Sequence, residues 1–216
     1  QIKISPELPG TTAQISGSSL MIRGRSKGQT AYNVTLPRSL ADQFGQTLGK
    51  DENVVIQVGQ AHPFFSGPGQ AFTVLDPQGP RELTCSVVNY DRLKVTAWRV
   101  QPADWAAFQK YLQEYRNNLK ERKAPGQQIF EKEIDTKAVR DQLTEVKVDL
   151  KEAFPNNLGQ VLLQIEPLPQ PEKNYNQPIY IGWVQSTQIG LDAMADGHTL
   201  QAWASELGSG KPLAGV

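Results

Sequence analysis

Short runs of alternating apolar and polar residues, each closed by glycine or proline, set the limits on what this 216-residue chain can become. Between residues 30 and 36, Tyr32, Val34 and Leu36 alternate with Ala31, Asn33 and Thr35. Between residues 53 and 58, Val54, Ile56 and Val58 alternate with Asn53, Val55 and Gln57. A period of two puts successive side chains on opposite faces of an extended strand, so each run offers one apolar face to a core. Residues 2–4 and 19–23 read as strands as well. Pro6, Pro9, Gly10, Gly17, Gly24, Gly28, Gly45 and Gly49 fall between the runs, where turns need them. The spacing is that of a small β-sandwich. With 18 glycines, 15 prolines and a mean hydropathy of -0.45, the composition suits a loop-rich all-β protein better than a helical bundle.

Residues 59–69, with His62-Pro63 and Gly67-Pro68-Gly69, break the pattern and read as an interdomain joint. Strands are then expected at 70–75, 82–89 and 93–100. Cys85 shares a strand face with Leu83 and Val87, which predicts a small buried hydrophobe. The period then changes: Trp105, Phe108, Leu112, Tyr115 and Leu119 recur at steps of three and four, the mark of an amphipathic helix over about residues 102–123. Pro102 and Asp104 suit its first turn. Arg116, Lys120, Arg122 and Lys123 suit its last, and Ala124-Pro125-Gly126 ends it. The stripe could dock a partner, but packing across a sheet as ordinary core explains it more simply. The basic cluster likewise reads as compensation of the helix dipole rather than a phosphate site.

Strands resume at 128–134, 145–150 and 160–165. Pro167, Pro169, Pro171 and Pro178 mark residues 166–178 as an exposed loop, followed by a strand from 179 to 185. Residues 188–194 and 199–205 read as a hairpin around Ala195-Asp196-Gly197, with Ile189, Leu191, Leu200 and Ala202 facing inward. A turn follows at 207–212. Two or three strands cannot close a sandwich, so this last piece is expected to be the opening of a truncated domain.

Chemistry is sparse. Twenty-two basic residues balance 22 acidic ones, which removes a chain-wide drive toward nucleic acid or anionic membrane. No apolar stretch is long enough to span a bilayer, and Gln1 opens no leader pattern, as expected of a piece whose beginning lies elsewhere. One cysteine and two histidines, His62 and His198, permit neither a disulfide framework nor a cysteine or multi-histidine metal site within the chain. Gly208-Ser209-Gly210-Lys211 lacks the phosphate-loop register because Pro212 stands where Ser or Thr belongs. No G-x-S-x-G elbow occurs, the nearest groupings being Ser16-Gly17 and Ser66-Gly67. Glu131 with Glu133, and Glu145 with Asp149, share strand sides, as charges on a solvent face do without catalysis. Trp98, Trp105, Trp183 and Trp203 read as packing anchors rather than stacking platforms. Asn33-Val34-Thr35 matches a short glycosylation pattern that occurs often by chance. No catalytic, cofactor-binding or metal-ligating residue is expected, no binding residue is singled out, and no enzyme is predicted.

Specificity rises near the end. Residues 179–216, IYIGWVQSTQIGLDAMADGHTLQAWASELGSGKPLAGV, resemble the junction between successive macroglobulin-like domains in bacterial alpha-2-macroglobulins. Trp183-Val184-Gln185 there runs into Thr187-Gln188-Ile189-Gly190-Leu191, and a second strand leads to the Leu207-Gly208-Ser209-Gly210-Lys211-Pro212 turn and Leu213-Ala214-Gly215. Upstream, the region from Gln70 to Trp105, with its Pro-Ala-Asp-Trp helix start at 102–105, and Val148-Asp149-Leu150 are similar to the preceding macroglobulin-like domain. Residues 30–36 and Asp42-Gln43-Phe44-Gly45 are similar to Ig-like modules near the start of such chains. The resemblance implies a large secreted or periplasmic protein, often lipid-anchored, that traps proteases after cleavage of a bait region. Many members carry a Cys-x-x-Gln thioester. Cys85 is followed by Ser86-Val87-Val88, so no thioester is expected in this chain, and no bait segment is recognised.

These readings converge on an all-β tandem of Ig-like and macroglobulin-like β-sandwiches with one inserted helix: an Ig-like module at 1–61, a macroglobulin-like sandwich at 66–186, and the start of a further domain at 187–216. The expected role is structural, within a bacterial broad-spectrum protease inhibitor. Its partners would be the other domains of the same long chain and, through the whole protein, target proteases; neither nucleic acid nor membrane insertion is expected. The competing reading is an Ig-like binding module of a surface adhesin. That reading predicts an exposed aromatic platform or a concave polar pocket, whereas a scaffold predicts buried tryptophans and an unpaired strand edge in the last domain.

Overall fold

The computed structural model describes residues 2–16, 19–117, 122–171 and 177–216. The chain divides into two compact units, Gln1–His62 and Pro63–Val216. The first contains β1 (Lys3–Ser5), β2 (Thr12–Ser16), β3 (Ser19–Arg23), β4 (Thr30–Leu36) and β5 (Glu52–Val58). β4 lies between β1 and β5 in an antiparallel sheet, and β2 pairs antiparallel with β3. β4 behaves as its alternation predicts: Tyr32 and Val34 are buried, Ala31 and Asn33 exposed. The Tyr32 hydroxyl accepts a hydrogen bond from the Lys27 amide at 2.9 Å. β5 departs from its pattern, because Val54 and Ile56, expected in a core, stay exposed along with Val55. It is an edge strand, and within its unit it packs too little against other elements to cover either face. β2 escapes the alternation reading because all five of its residues are exposed.

The second unit contains β6 (Phe64–Ser66), β7 (Phe72–Leu75), β8 (Glu82–Val88), β9 (Arg92–Arg99), a single 3-10 turn (Pro102–Asp104), α1 (Trp105–Arg116), β10 (Gln127–Asp135), β11 (Thr144–Asp149), β12 (Gly159–Leu168), β13 (Tyr180–Ser186), β14 (Ile189–Ala195) and β15 (Leu200–Glu206). Five strands form one sheet in the order β10-β9-β12-β13-β7, and three form another in the order β11-β8-β6. Leu83, Cys85 and Val87 of β8 and Val146 and Val148 of β11 join Leu93, Val95, Val161, Leu163, Ile165 and Val184 of the larger sheet in one core. This is a β-sandwich. The other face of the five-stranded sheet holds a second core, where Phe108 and Tyr111 of α1 meet Leu162, Ile181 and Trp183.

Covering both faces of β12 and β13 explains their sequences. An antiparallel strand with one wet face alternates; one buried on both sides reads as a nearly continuous apolar run, here Val161-Leu162-Leu163 and Tyr180-Ile181-Gly182-Trp183-Val184. Gly182 belongs to that run for steric reasons. A Cβ there would overlap the ring and hydroxyl of Tyr180, and one at Gly67 would come within 2.6 Å of the Tyr180 Cβ. The Tyr180 ring thus lies in a slot left by two glycines, and its hydroxyl donates to the Gln70 carbonyl at 3.0 Å.

Four further expectations need correction. The joint expected at 59–69 includes a strand, β6, paired with β8 from Phe64↔Val88 to Ser66↔Ser86. The loop expected from residue 166 begins later, since β12 continues to Leu168 against β9. Pro167 is tolerated there because pairing with β13 ends at Ile165↔Tyr180, so its missing N–H breaks no ladder bond on that side. The helix expected over 102–123 is α1 from Trp105 to Arg116, with Asn117 as its C-cap; residues 118–121 lie outside the described residues. The hairpin β14–β15 forms as expected, its turn held by Asp196 Oδ1, which accepts from the His198 amide at 2.8 Å and the Thr199 amide at 2.6 Å. Its expected inward side chains Ile189, Leu191, Leu200 and Ala202 are nevertheless exposed, because among the described residues no second sheet packs on a two-stranded ribbon.

Two substitutions test this packing by chemical denaturation. Trp183→Ala empties the middle of the core between α1 and the sheet and is expected to cost about 3–5 kcal/mol. Gly182→Ala is expected to cost about 1–3 kcal/mol through the clash with Tyr180, a loss that Tyr180→Ala in the same chain should partly relieve.

Candidate functional site

The richest side-chain constellation lies where α1 crosses the five-stranded sheet. Cross-strand register sets Leu162 opposite Trp183, Gln164 opposite Ile181, and Trp183 beside Phe72 of β7. On these rows sit the helix rings. Trp105 and Phe108 lie 5.3 and 5.5 Å from Trp183, and Phe72 meets Trp105 edge to face at 5.7 Å. One turn on, Tyr111 donates to Gln164 Oε1 at 2.8 Å, and the Tyr115 hydroxyl reaches the same oxygen at 3.3 Å. Burial, helped by the hydrogen bond with Tyr115, pushes the Tyr111 hydroxyl well above the ordinary phenol range. The Arg122 guanidinium stacks 4.0 Å above the Tyr115 ring. Arg122, expected in the last turn of the helix, lies beyond its C-cap Asn117 and makes a cation-π contact, while Arg116 is the basic residue in that turn.

Of the helix stripe, Phe108 is core, Leu112 and Tyr115 are partly buried and Trp105 remains 41% exposed, while Tyr111, which the stripe did not include, is buried as well. Tyr111 and Gln164 were not legible as a pair. The available signal was Gln164 itself, an amide inside the Leu162-Leu163-Gln164-Ile165 run, because a polar group in a doubly covered strand needs a partner.

The other candidates separate. Cys85 is 1% exposed inside the sandwich core, and burial pushes its thiol up to about 12. Glu131 pairs with Lys94 at 3.4 Å and Glu133 with Arg92, both on an exposed strand face. Asp149 accepts from the Lys151 amide at 2.8 Å, a bond that holds its carboxyl pKa below the usual carboxylate value, and Glu145 is exposed. Surface pairs of this kind contribute about 0–1 kcal/mol each and bring no two carboxylates to a shared cleft. His62 and His198 are exposed, and among the described residues no group of three or more His, Cys, Asp or Glu is gathered. Among the tryptophans, Trp183 is buried and Trp98 half-buried; Trp203, on the hairpin, is 50% exposed. Asn33 lies exposed on the central strand β4. Ser209-Gly210-Lys211 forms a turn in which the Gly210 amide donates to the Glu206 carbonyl at 2.8 Å and the Glu206 amide to the Lys211 carbonyl at 2.8 Å.

The fold recurs in solved structures. A crystal structure of native alpha-2-macroglobulin from Escherichia coli spanning domains MG0-NIE-MG1 superposes over 98% of this chain and 69% of its own, with a TM-score of 0.56 at 16% identity. The chain has the fold of bacterial alpha-2-macroglobulin domains. A Salmonella alpha-2-macroglobulin matches over 95% of this chain with a TM-score of 0.58 at 14% identity, and the chain spans 12% of that protein's length. An Escherichia coli structure spanning NIE-MG1 covers 70% of this chain, with a TM-score of 0.50 at 18% identity. No protein-family model matches the sequence, and no curated protein sequence matches it.

Two measurements check the site. Tyr111→Phe is expected to lower stability by about 1–2 kcal/mol, since Gln164 loses its better hydrogen bond in a buried place. The Cys85 thiol should resist alkylation until the protein unfolds. Because folding favours its neutral form, that stabilisation is complete below the unfolded value of 9.0 and disappears as pH rises toward about 12. Denaturation midpoints should therefore fall less steeply with pH over this window in Cys85→Ala than in the parent chain.

Proposed function

We propose that this chain is a structural N-terminal portion of a bacterial alpha-2-macroglobulin-like protease trap and has no catalytic role of its own. The observation that carries the reading is the fold match along nearly the whole chain to three consecutive domains of such a protein. The coverage of 70% by the two-domain structure is close to the share of Pro63–Val216, which favours placing Gln1–His62 on the MG0 side. The organisation proposed is then an Ig-like module at 1–61, a macroglobulin-type sandwich with its helix at 66–186, and the first hairpin of a further domain at 187–216.

The side chains suit a scaffold. The lone thiol is sealed in a core, the paired carboxylates are neutralised at the surface, and Trp183 is spent on packing. A thioester and a bait region, where present, would belong to other parts of the longer protein. Other domains of that protein are the proposed direct partners, and target proteases are met only through it, in the periplasm or outside the cell.

A protection assay tests this. The full-length protein encoded by the gene should shield a large protein substrate from several unrelated proteases while leaving small peptide substrates accessible, and the 216-residue chain alone should shield neither. A gene ending shortly after Val216, or full shielding by the 216-residue chain, would overturn the reading.

A further inference from the structure

On the α1 side of the five-stranded sheet the rows continue past the helix. Gln164 and Ile181 lie under Tyr111, and Leu162, Trp183 and Phe72 lie under Phe108 and Trp105. The next row consists of Gln160 opposite Gln185, with Val74 beside Gln185; among the described residues it lies before the first turn of α1, and Pro102 of the 3-10 turn borders it. Its edge is walled by Trp105 and Phe72, each 41% exposed. The result is a cleft of 190 Å³ with Trp183 in its lining and Gln160 and Gln185 at one side.

Gln160 also borders two adjoining hollows: one of 370 Å³ shared with Arg99, Gln101 and Asn156, and one of 230 Å³ shared with Gln185 and Gln188. Three neighbouring concavities therefore meet at one glutamine. Arg99 is the only charged side chain that lines any of them. Among the described residues neither the Gln160 nor the Gln185 side-chain amide is engaged in a hydrogen bond with the protein, although the Gln160 main-chain carbonyl accepts from the Val100 amide.

Ring and amides together select a chemistry. Each glutamine offers an acceptor oxygen and a two-proton donor a short distance apart, the complement of neighbouring hydroxyls that both donate and accept. An aromatic face carries negative potential that attracts the weakly positive C–H face of a pyranose. An ionic ligand would be desolvated here with little compensating charge. A proline-rich peptide needs ridges of parallel rings, whereas Phe72 and Trp105 meet at 81° and form a corner. We propose that this cleft binds a neutral oligosaccharide, with the Trp105 ring as the stacking platform and the Gln160 and Gln185 amides hydrogen-bonding its hydroxyls. The site is independent of protease trapping and would stand if that role failed.

The test is a nuclear magnetic resonance titration of the 216-residue chain with maltotetraose, cellotetraose and tetra-N-acetylchitotetraose in turn. At least one should shift the side-chain amide signals of Gln160 and Gln185 and the indole signal of Trp105. Trp105→Ala, and separately the pair Gln160→Ala and Gln185→Ala, should weaken that binding at least about tenfold. Trp203→Ala, which removes a comparably exposed indole from the β14–β15 hairpin, should leave it unchanged. The glutamine pair decides the matter even if Trp105→Ala disturbs the helix, because both amides lie at the rim of the core and the spectrum itself reports the fold. The proposal is overturned if none of the three sugars moves these signals, if binding survives loss of both glutamines, or if a proline-rich peptide moves them and the sugars do not.

Discussion

Everything in the larger unit depends on β12 and β13 being dry on both faces. Their paired backbones satisfy each other's hydrogen bonds, so the side chains are free to be apolar on either side, and two separate cores hang from one pair of strands. One face fastens the small sheet β11-β8-β6, and the other fastens α1. Removing the helix would expose Leu162, Ile181 and Trp183 together. Removing the small sheet would expose Val161, Leu163 and Val184.

That arrangement also explains how much could be read from residues alone. The helix was legible because its 3.6-residue period survives on a surface element with one buried side, and β4, β8 and β11 were legible because each keeps one wet face. The terminal ribbon was legible as a hairpin and illegible as to its faces: alternation shows which side chains share a face, and only a covering layer decides which face is inside. β5 failed for the same reason. Pro167 misled because a proline forbids a ladder bond on only one side, and the sequence does not reveal that the neighbouring strand has already ended there.

The functional surface was harder still. Four tryptophans looked alike in the sequence, yet Trp183 is a pillar, Trp98 a partial support, and Trp105 both a packing element and a wall of an open cleft. Gln160 and Gln185 carry no motif. They become a pair only through antiparallel register across a loop of more than ten residues, and they stay uncovered only because the helix begins one row too far along. Such a site is a by-product of where an element stops, which no local pattern encodes. The same reasoning separates the two readings weighed for this chain: buried Trp183 and the sparsely covered hairpin fit a scaffold, whereas the proposed shelf beside Trp105 fits recognition.

The parallel pairing of β7 with β13 carries a kinetic consequence. β7 spans Phe72–Leu75, and its partner residues lie at Trp183–Ser186, more than a hundred residues later. During synthesis β7 therefore emerges early and waits, its ladder groups hydrogen-bonded to water, until residues 183–186 have also left the ribosome. Closing so long a loop is entropically slow. The sheet can grow from its β9–β10 edge across β12 and β13, and the strand of this sheet made first is seated last, like a latch that can close only when the door is already hung.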